Sequence, residues 1–273
     1  MTRKHYLVKS FKLERGRARL AGQSQQVERT SQGEERSRRQ DRAYRILDAA
    51  AELVQRWGYK KTTVDDIAKQ AKVAKGTIYL HWKNREELFI ALFLRESLDA
   101  GYEMFELMKN EPDGFLLHNQ TKHSIYVVMR RPLIKALFLG DIEILGELLH
   151  SDHPVLSQLM QSKALASEEL FELMRGKGVI RTDVSISMQM YTYSAIITGF
   201  ITVERYIPEN LQQRYSISLE ESVDALARTM RNTFEPDEPV PASTLQEIRT
   251  IFTQFYQQYL AAIQEQLQKE MGL

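Results

Sequence analysis

Cysteine is absent from the 273 residues, which excludes a disulfide framework, a thiolate metal site and a cysteine nucleophile. No apolar run approaches the roughly 18 residues that a membrane-spanning helix needs, and the N-terminus lacks the apolar core of a secretory leader; a cytoplasmic protein with no membrane partner is expected. No stretch sustains the apolar–polar alternation of a half-buried strand, so no sheet is expected. Also missing are a glycine-rich phosphate loop behind a strand, a G-x-S-x-G elbow and a metalloprotease helix motif. The chain is therefore expected to be no enzyme and to carry no cofactor. His118, His123, His150 and His153 raise the question of a metal. His150 and His153 can share one helix face, but Pro154 adjoins them and no carboxylate or thiol stands at a fixed ligand spacing, so no metal site is expected.

What is present is a soluble composition, 43% hydrophobic and 27% charged, in a chain long enough for a large core and two domains. The net charge of +1 hides an uneven distribution. Residues 1–38 hold 10 Lys/Arg against 4 Asp/Glu, a net of +6, and residues 39–84 hold 10 against 5, a net of +5. Residues 85–273 hold 17 against 27, a net of −10. A basic front ahead of an acidic body suits a polyanion bound by the front alone. Residues 1–38, polar and with few spaced apolar positions, read as a disordered basic arm, either a solvated tail or a second contact to the polyanion.

From Arg39 onward the pattern is helical. Ile46, Leu47, Ala50, Leu53, Val54 and Trp57 recur at spacings of three and four, which places them on one helix face, and Gly58 can end that helix in a left-handed conformation. A second short helix follows in TTVDDIAKQA. Thr63 caps it, Asp66 closes a capping box, and both aspartates lie at the positive end of the helix dipole. Lys72 to Ala74 form a turn and Lys75 to His81 a third short helix. Asn84 caps a fourth, with Glu87 completing an N-x-x-E box, and that helix runs towards Lys109. Further helices are expected over about 115–130, 133–150, 154–176, 184–207, 218–234 and 244–271, with Pro132, Pro154, Pro208 and the cluster Pro236, Pro239 and Pro241 as breaks. The fold class is all-α.

Three short helices within about 45 residues, the last two joined by a three-residue turn, match a helix-turn-helix, whose last helix enters the major groove of DNA. Val73, Ile78 and Trp82 can face the first two helices, which leaves Lys75, Gly76, Thr77, Tyr79, Leu80 and His81 outward. Gly76 lets backbone approach a phosphate, and Lys75 and Lys83 neutralise phosphates and release counterions. Thr77 and Tyr79 offer hydroxyls, His81 can donate to a phosphate, and Leu80 can press on a thymine methyl. Thr63 and the free amides beside it point at another phosphate. Singly, such residues carry no message, and Thr63 is useful as a cap without DNA; the reading rests on their order.

The stretch TTVDDIAKQAKVAKGTIYLHWKNREELF resembles the DNA-binding domain of the TetR family of transcriptional regulators, matching at Thr63, Ile67, Ala68, Val73, Gly76, Thr77, Tyr79, His81, Lys83 and Leu88, and the preceding ILDAAAELVQRWGYKKTT resembles that family's first helix. The resemblance covers residues 39–100, with the helix-turn-helix at about 63–82. It departs from the family at Ala74, where a capping hydroxyl is frequent, at Lys72, where glycine is frequent, at Leu80, and at Trp82 in place of phenylalanine. It implies a helical effector-binding and dimerisation domain over 101–273. Helices 184–207 and 218–234 are then candidates for an intersubunit four-helix bundle. Ala195, Gly199 and Val203 on the first, and Val223, Leu226 and Met230 on the second, would form the contact unless those stripes pack inside one subunit. A homodimer holds two recognition helices over two half-sites, so a palindromic operator in double-stranded DNA is expected. The resemblance also implies a cavity for a largely apolar small-molecule effector, for which Tyr102, Phe105, Met108, Tyr126, Met129, Phe138, Met160, Phe171, Met174, Tyr191 and Tyr193 are candidates. The function expected is a ligand-responsive regulator, most simply a repressor; the alternative is an architectural DNA-binding protein without an effector.

Overall fold

The computed structural model describes residues 34–140, 154–208, 210 and 216–273, with the backbone alone at 154, 156–160, 162–166, 204 and 205. Among the described residues the secondary structure is entirely helical. Helix α1 covers 34–61 and buries Ala43, Ile46, Leu47, Ala50, Leu53 and Val54, the three-and-four spacing read from the sequence. It starts before Arg39, and so reaches back into the segment expected to be an arm. Trp57, placed on the same face by spacing, is instead 44% exposed. Gly58 takes a left-handed φ of 73° inside the helical run, and the Thr62 hydroxyl donates to its carbonyl at 2.9 Å.

Helix α2, Val64–Gln70, begins in the expected capping box. The Thr63 hydroxyl accepts from the Asp66 amide at 3.2 Å, while the Asp66 carboxylate accepts from the Thr63 amide at 3.2 Å and from its hydroxyl at 2.6 Å. These bonds hold the Asp66 carboxyl below the usual carboxylate range. The helix ends in a Schellman turn, with Val73 N–H donating to Ala68 O and Lys72 N–H to Lys69 O. Lys72 is the left-handed residue of that turn, at φ 55°, a position where a Cβ is disfavoured. Helix α3, Lys75–Tyr79, has no side-chain cap because Ala74 offers none. Ile78 and Trp82 anchor it, both essentially unexposed. Helix α4, Arg85–Lys109, is capped by Asn84, whose side chain accepts from the Glu87 amide at 2.8 Å. The expected return bond lands one residue early: Glu87 accepts from the Lys83 amide at 2.8 Å, not from Asn84.

Leu88 through Leu94 are all buried, because this part of α4 is enclosed on every side. The helix runs unbroken through residue 100. Helix α5 (Leu117–Arg130), α6 (Pro132–Leu139), α7 (Pro154–Gly176) and α8 (Ile186–Thr202, followed by a 3-10 turn Val203–Tyr206) build the body with α9 (Leu219–Phe234) and α10 (Ala242–Glu270). Pro132 and Pro154 open helices rather than merely ending them; a first-turn proline lacks only an N–H that would have had no partner in the helix. Helix α9 lies along α5 and α10 along α4. Ser218 and Glu221 form a second capping box. Buried Glu235 beyond α9 accepts from the amide of His118 at 3.0 Å and meets its Nδ1 at 2.8 Å, tying the two helices end to end.

Helices α4 and α10 approach each other closely at Gly101. A Cβ there would lie 2.5 Å from Leu260 Cδ2 of α10, and Leu260 is itself 2% exposed. Gly101→Val should therefore destabilise the protein, and Leu260→Ala alone should cost about 2–5 kcal/mol. In a denaturant-melt double-mutant cycle the two changes should couple by about 0.5–3 kcal/mol, since truncating Leu260 makes room for the valine.

Candidate nucleic-acid interface

Helix α3 presents a short, largely unanchored face. Leu80 is 67% and Tyr79 47% exposed, while Ile78 and Trp82 face inward. Lys75, Gly76, Lys83 and Thr63 are exposed and Thr77 half-buried. Outside its chain neighbours and its own helix backbone, no described atom lies within 4 Å of where a Cβ on Gly76 would stand, so packing among the described residues does not call for glycine there. The Lys75 ammonium donates to Asp65 at 2.8 Å, which raises its pKa and holds the charge beside the start of α2.

His81 is a correction to the sequence reading. Its ring faces inward, 8% exposed, and Nδ1 lies 3.3 Å from the Met271 carbonyl at the end of α10. A carbonyl only accepts, so the proton sits on Nδ1, and buried Nε2 meets no hydrogen-bond partner among the described residues. His81 is thus packed against the C-terminal turn and does not project with Tyr79 and Leu80. Sequence reasoning also missed the basic start of α1: Arg38, Arg39 and Arg42 border a cleft of about 570 Å³ with Glu34, Glu35, Leu80 and His81. Arg39 donates to the Leu80 carbonyl at 3.3 Å. Their spacing of one, three and four on a helix was the available signal, obscured by placing the helix start at Arg39.

The body holds a separate cavity of about 450 Å³. Of the candidate residues, Phe138, Phe171, Met174 and Tyr193 line it. Tyr102 is at the surface, its hydroxyl 3.3 Å from Gln264. Phe105 is core, stacked on Tyr256 with ring centroids 5.8 Å apart, and Met108 is fully buried. The Tyr126 ring packs under the Arg130 guanidinium. Met129 lines a different groove with Phe200 and Val203, Tyr191 is 72% exposed, and the Met160 side chain lies outside the described residues. Helix α10 supplies the unforeseen wall: Phe255, Tyr256 and Tyr259. Among the described residues the polar lining is uncharged, from Gln120, Ser124, Ser194 and Thr198 among others, and none of the described lining side chains is acidic, basic or histidine. Burial raises the pKa of the Tyr193, Tyr256 and Tyr259 hydroxyls, so all three stay neutral.

The two stripes proposed for a subunit contact part company. Val223, Leu226 and Met230 are buried within this subunit, on the face of α9 that packs along α5, and cannot form an intersubunit face. Ala195 and Gly199 are exposed and Val203 is 46% exposed. With Met188, Tyr191 and Tyr206, also exposed, they recur at spacings of three and four along α8 and its 3-10 extension, which makes one apolar strip. His150 and His153 lie outside the described residues.

The profile of bacterial regulatory proteins of the tetR family matches residues 46–92. The chain is 30% identical over 138 residues to the uncharacterized HTH-type transcriptional regulator YvkB of Bacillus subtilis (strain 168), covering 50% of this chain and 70% of that one. It is 48% identical over 61 residues to the fatty acid metabolism regulator protein of the same organism, covering 22% of this chain and 31% of the relative; that match thus spans about a third of the relative's length. Among solved structures, the transcriptional regulator FadR from Bacillus subtilis in complex with stearoyl-CoA superposes with a TM-score of 0.51 at 19% identity, covering 68% of this chain and 96% of that one. At that identity the likeness is one of fold.

Burial lowers the pKa of His81, and Arg39 and Arg42 add to the effect against an opposing bond to Met271 O. As pH falls below the ordinary histidine value of 6.5, the unfolded chain takes up a proton that the folded ring refuses. The stability from the neutral ring is therefore complete above that pH and is lost as pH drops towards the lowered folded value. Thermal melts between pH 7.5 and 5.5 should show a Tm loss that is smaller in His81→Phe than in the unaltered protein.

Proposed function

The chain belongs to the tetR family of bacterial regulatory proteins, and from that premise we propose that it is a ligand-responsive transcriptional regulator acting as a repressor, a homodimer on a palindromic operator that a small molecule releases. The observation that carries this is the exposure of Tyr79 and Leu80 on a helix whose buried apolar anchors are Ile78 and Trp82. A helix that buries one narrow edge and offers the rest has the shape a major groove accepts.

Roles within the interface follow from chemistry. Lys75 and Lys83 meet phosphates, and Thr77 and Tyr79 donate hydroxyls to phosphate oxygens or base edges. Gly76 leaves backbone open to close approach. Thr63 lies at an exposed helix start where free amides favour an anion. Leu80 supplies an apolar contact of the kind a thymine methyl meets. We read residues 39–100 as the DNA-binding head and 101–273 as the effector and dimerisation body, working in the cytoplasm beside chromosomal DNA. The cavity, whose described lining consists of apolar side chains, aromatics and neutral polar groups, suits an uncharged, largely apolar effector. The exposed strip Met188, Tyr191, Ala195, Gly199, Val203 and Tyr206 is the surface for the second copy. A dimer sheds this strip from water and supplies the twofold axis that two half-sites require.

Two outcomes test this reading. In binding to genomic operator fragments selected by the protein, Lys83→Ala should weaken all sequences and reduce the salt slope by about one, whereas Leu80→Ala should alter sequence preference more than affinity. If neither change affects operator binding, or if selection yields no preference beyond about tenfold over random DNA, the regulator reading gives way to a non-specific architectural one. Sedimentation of Tyr191→Asp/Val203→Asp should show monomer where the unaltered protein is dimeric, with operator affinity lost alongside; a dimer unaffected by both charges would place the contact elsewhere.

A further inference from the structure

Helix α10 touches both sites. It is 29 residues long, about 43 Å at 1.5 Å per residue. About two turns in, Arg249 donates to the carbonyls of Glu111, at 3.2 Å, and Lys109, which pins it to the end of α4. Between about two and three turns on, Phe255, Tyr256 and Tyr259 form one wall of the body cavity. Its last turn reaches the DNA-binding head, where Met271 is fully buried.

That last turn is built for contact. Gly272, at φ 66°, closes a Schellman cap in which Leu273 N–H donates to Gln268 O and Gly272 N–H to Lys269 O, each at 3.0 Å. The cap leaves the Met271 carbonyl available, and His81 Nδ1–H takes it at 3.3 Å. His81 follows the C-cap residue of α3, Leu80, whose own carbonyl accepts from Arg39. The Arg39 guanidinium is so close to the turn that a Cβ on Gly272 would lie 3.0 Å from it. The His81 ring is itself buried in making this contact, 8% exposed.

We infer that α10 is a strut joining the cavity to the recognition helix: a molecule that pushes on Tyr256 and Tyr259 tilts α10 about its Arg249 end, and the Met271–His81 contact delivers that tilt to the end of α3. The geometry favours amplification. From Arg249 to Tyr256 is about 10 Å along the helix and from Arg249 to Met271 about 33 Å, so a shift at the cavity grows roughly threefold at the head. Helix α4 links the same two regions through the chain itself; α10 does so through side-chain and cap contacts alone. This inference rests on the proposed reading of the cavity as an effector site, but not on DNA binding.

The test uses hydrogen exchange of the amides of residues 78–82 in the full chain, without DNA, so that its failure is distinguishable from failure of the operator reading. The cavity is filled in two ways, with the uncharged fluorophore N-phenyl-1-naphthylamine and by Ser124→Trp in the part of the lining that α5 supplies. Each is measured in the unaltered background, in Gly272→Val, which strains the cap, and in His81→Phe, which removes the donor. At least one filling should change exchange at 78–82 by about threefold or more in the unaltered background and by less than about 1.5-fold in both variants. Fluorophore affinity, where binding is seen, should stay within about twofold across backgrounds if the variants break only the link. A response of equal size in all three backgrounds, or none to either filling in the unaltered one, overturns the strut.

Discussion

Everything in this protein hangs on the enclosure of the first half of α4. From Leu88 to Leu94 no residue of that helix faces solvent; α1 packs on it through Tyr59 against Phe89 and Asp48 against Arg95, and α10 lies along it. A helix buried all round cannot slide or rotate without opening a cavity, and close-packed interiors transmit strain rather than absorb it. The orientation of the head is therefore tied to the packing of the body. Beside α4, Arg95 is buried with its guanidinium paired to Asp48 at 2.5 Å and Glu96 at 2.7 Å. That bridge between α1 and α4 keeps a charge inside the joint only while both helices hold their places.

Against that rigid joint, α3 is lightly held. It has no N-terminal side-chain cap and two buried anchors, and its far end is steadied by Arg39 and by the C-terminal turn through His81. The exposed face and the sparse anchoring are one fact: a side chain that reaches into a groove cannot also be spent on the core. The same logic applies to α8, where the outer strip stays uncovered within the subunit while Ile197 and Ile201 face in.

What the sequence disclosed was local. Thr63 with Asp66 and Asn84 with Glu87 lie three residues apart, and caps are decided within one turn. The inward set of α1 and the anchors Ile78 and Trp82 follow from period and from the family pattern. What it concealed was partnership. His81 sits where a groove-facing residue was expected, and its partner is 190 residues away. The stripe Val223, Leu226 and Met230 was correctly apolar, yet periodicity states that a face is covered, not what covers it. For the cavity, aromatic and methionine content identified Phe171, Tyr193 and Met174 but not the wall from α10, and it also drew in Tyr102 and Tyr191, which are surface residues. Helical spacing alone cannot tell a core position from a lining one.

The central claim is that two copies of this chain present the Tyr79–Leu80 face to one side of a duplex. Hydroxyl-radical footprinting of the protein on an operator selected from genomic DNA tests it most directly. The account predicts two equivalent protected patches on one face of the duplex, with centres about 34–36 Å apart or a multiple of that. A single patch, or even protection around the helix without a twofold pattern, would contradict it.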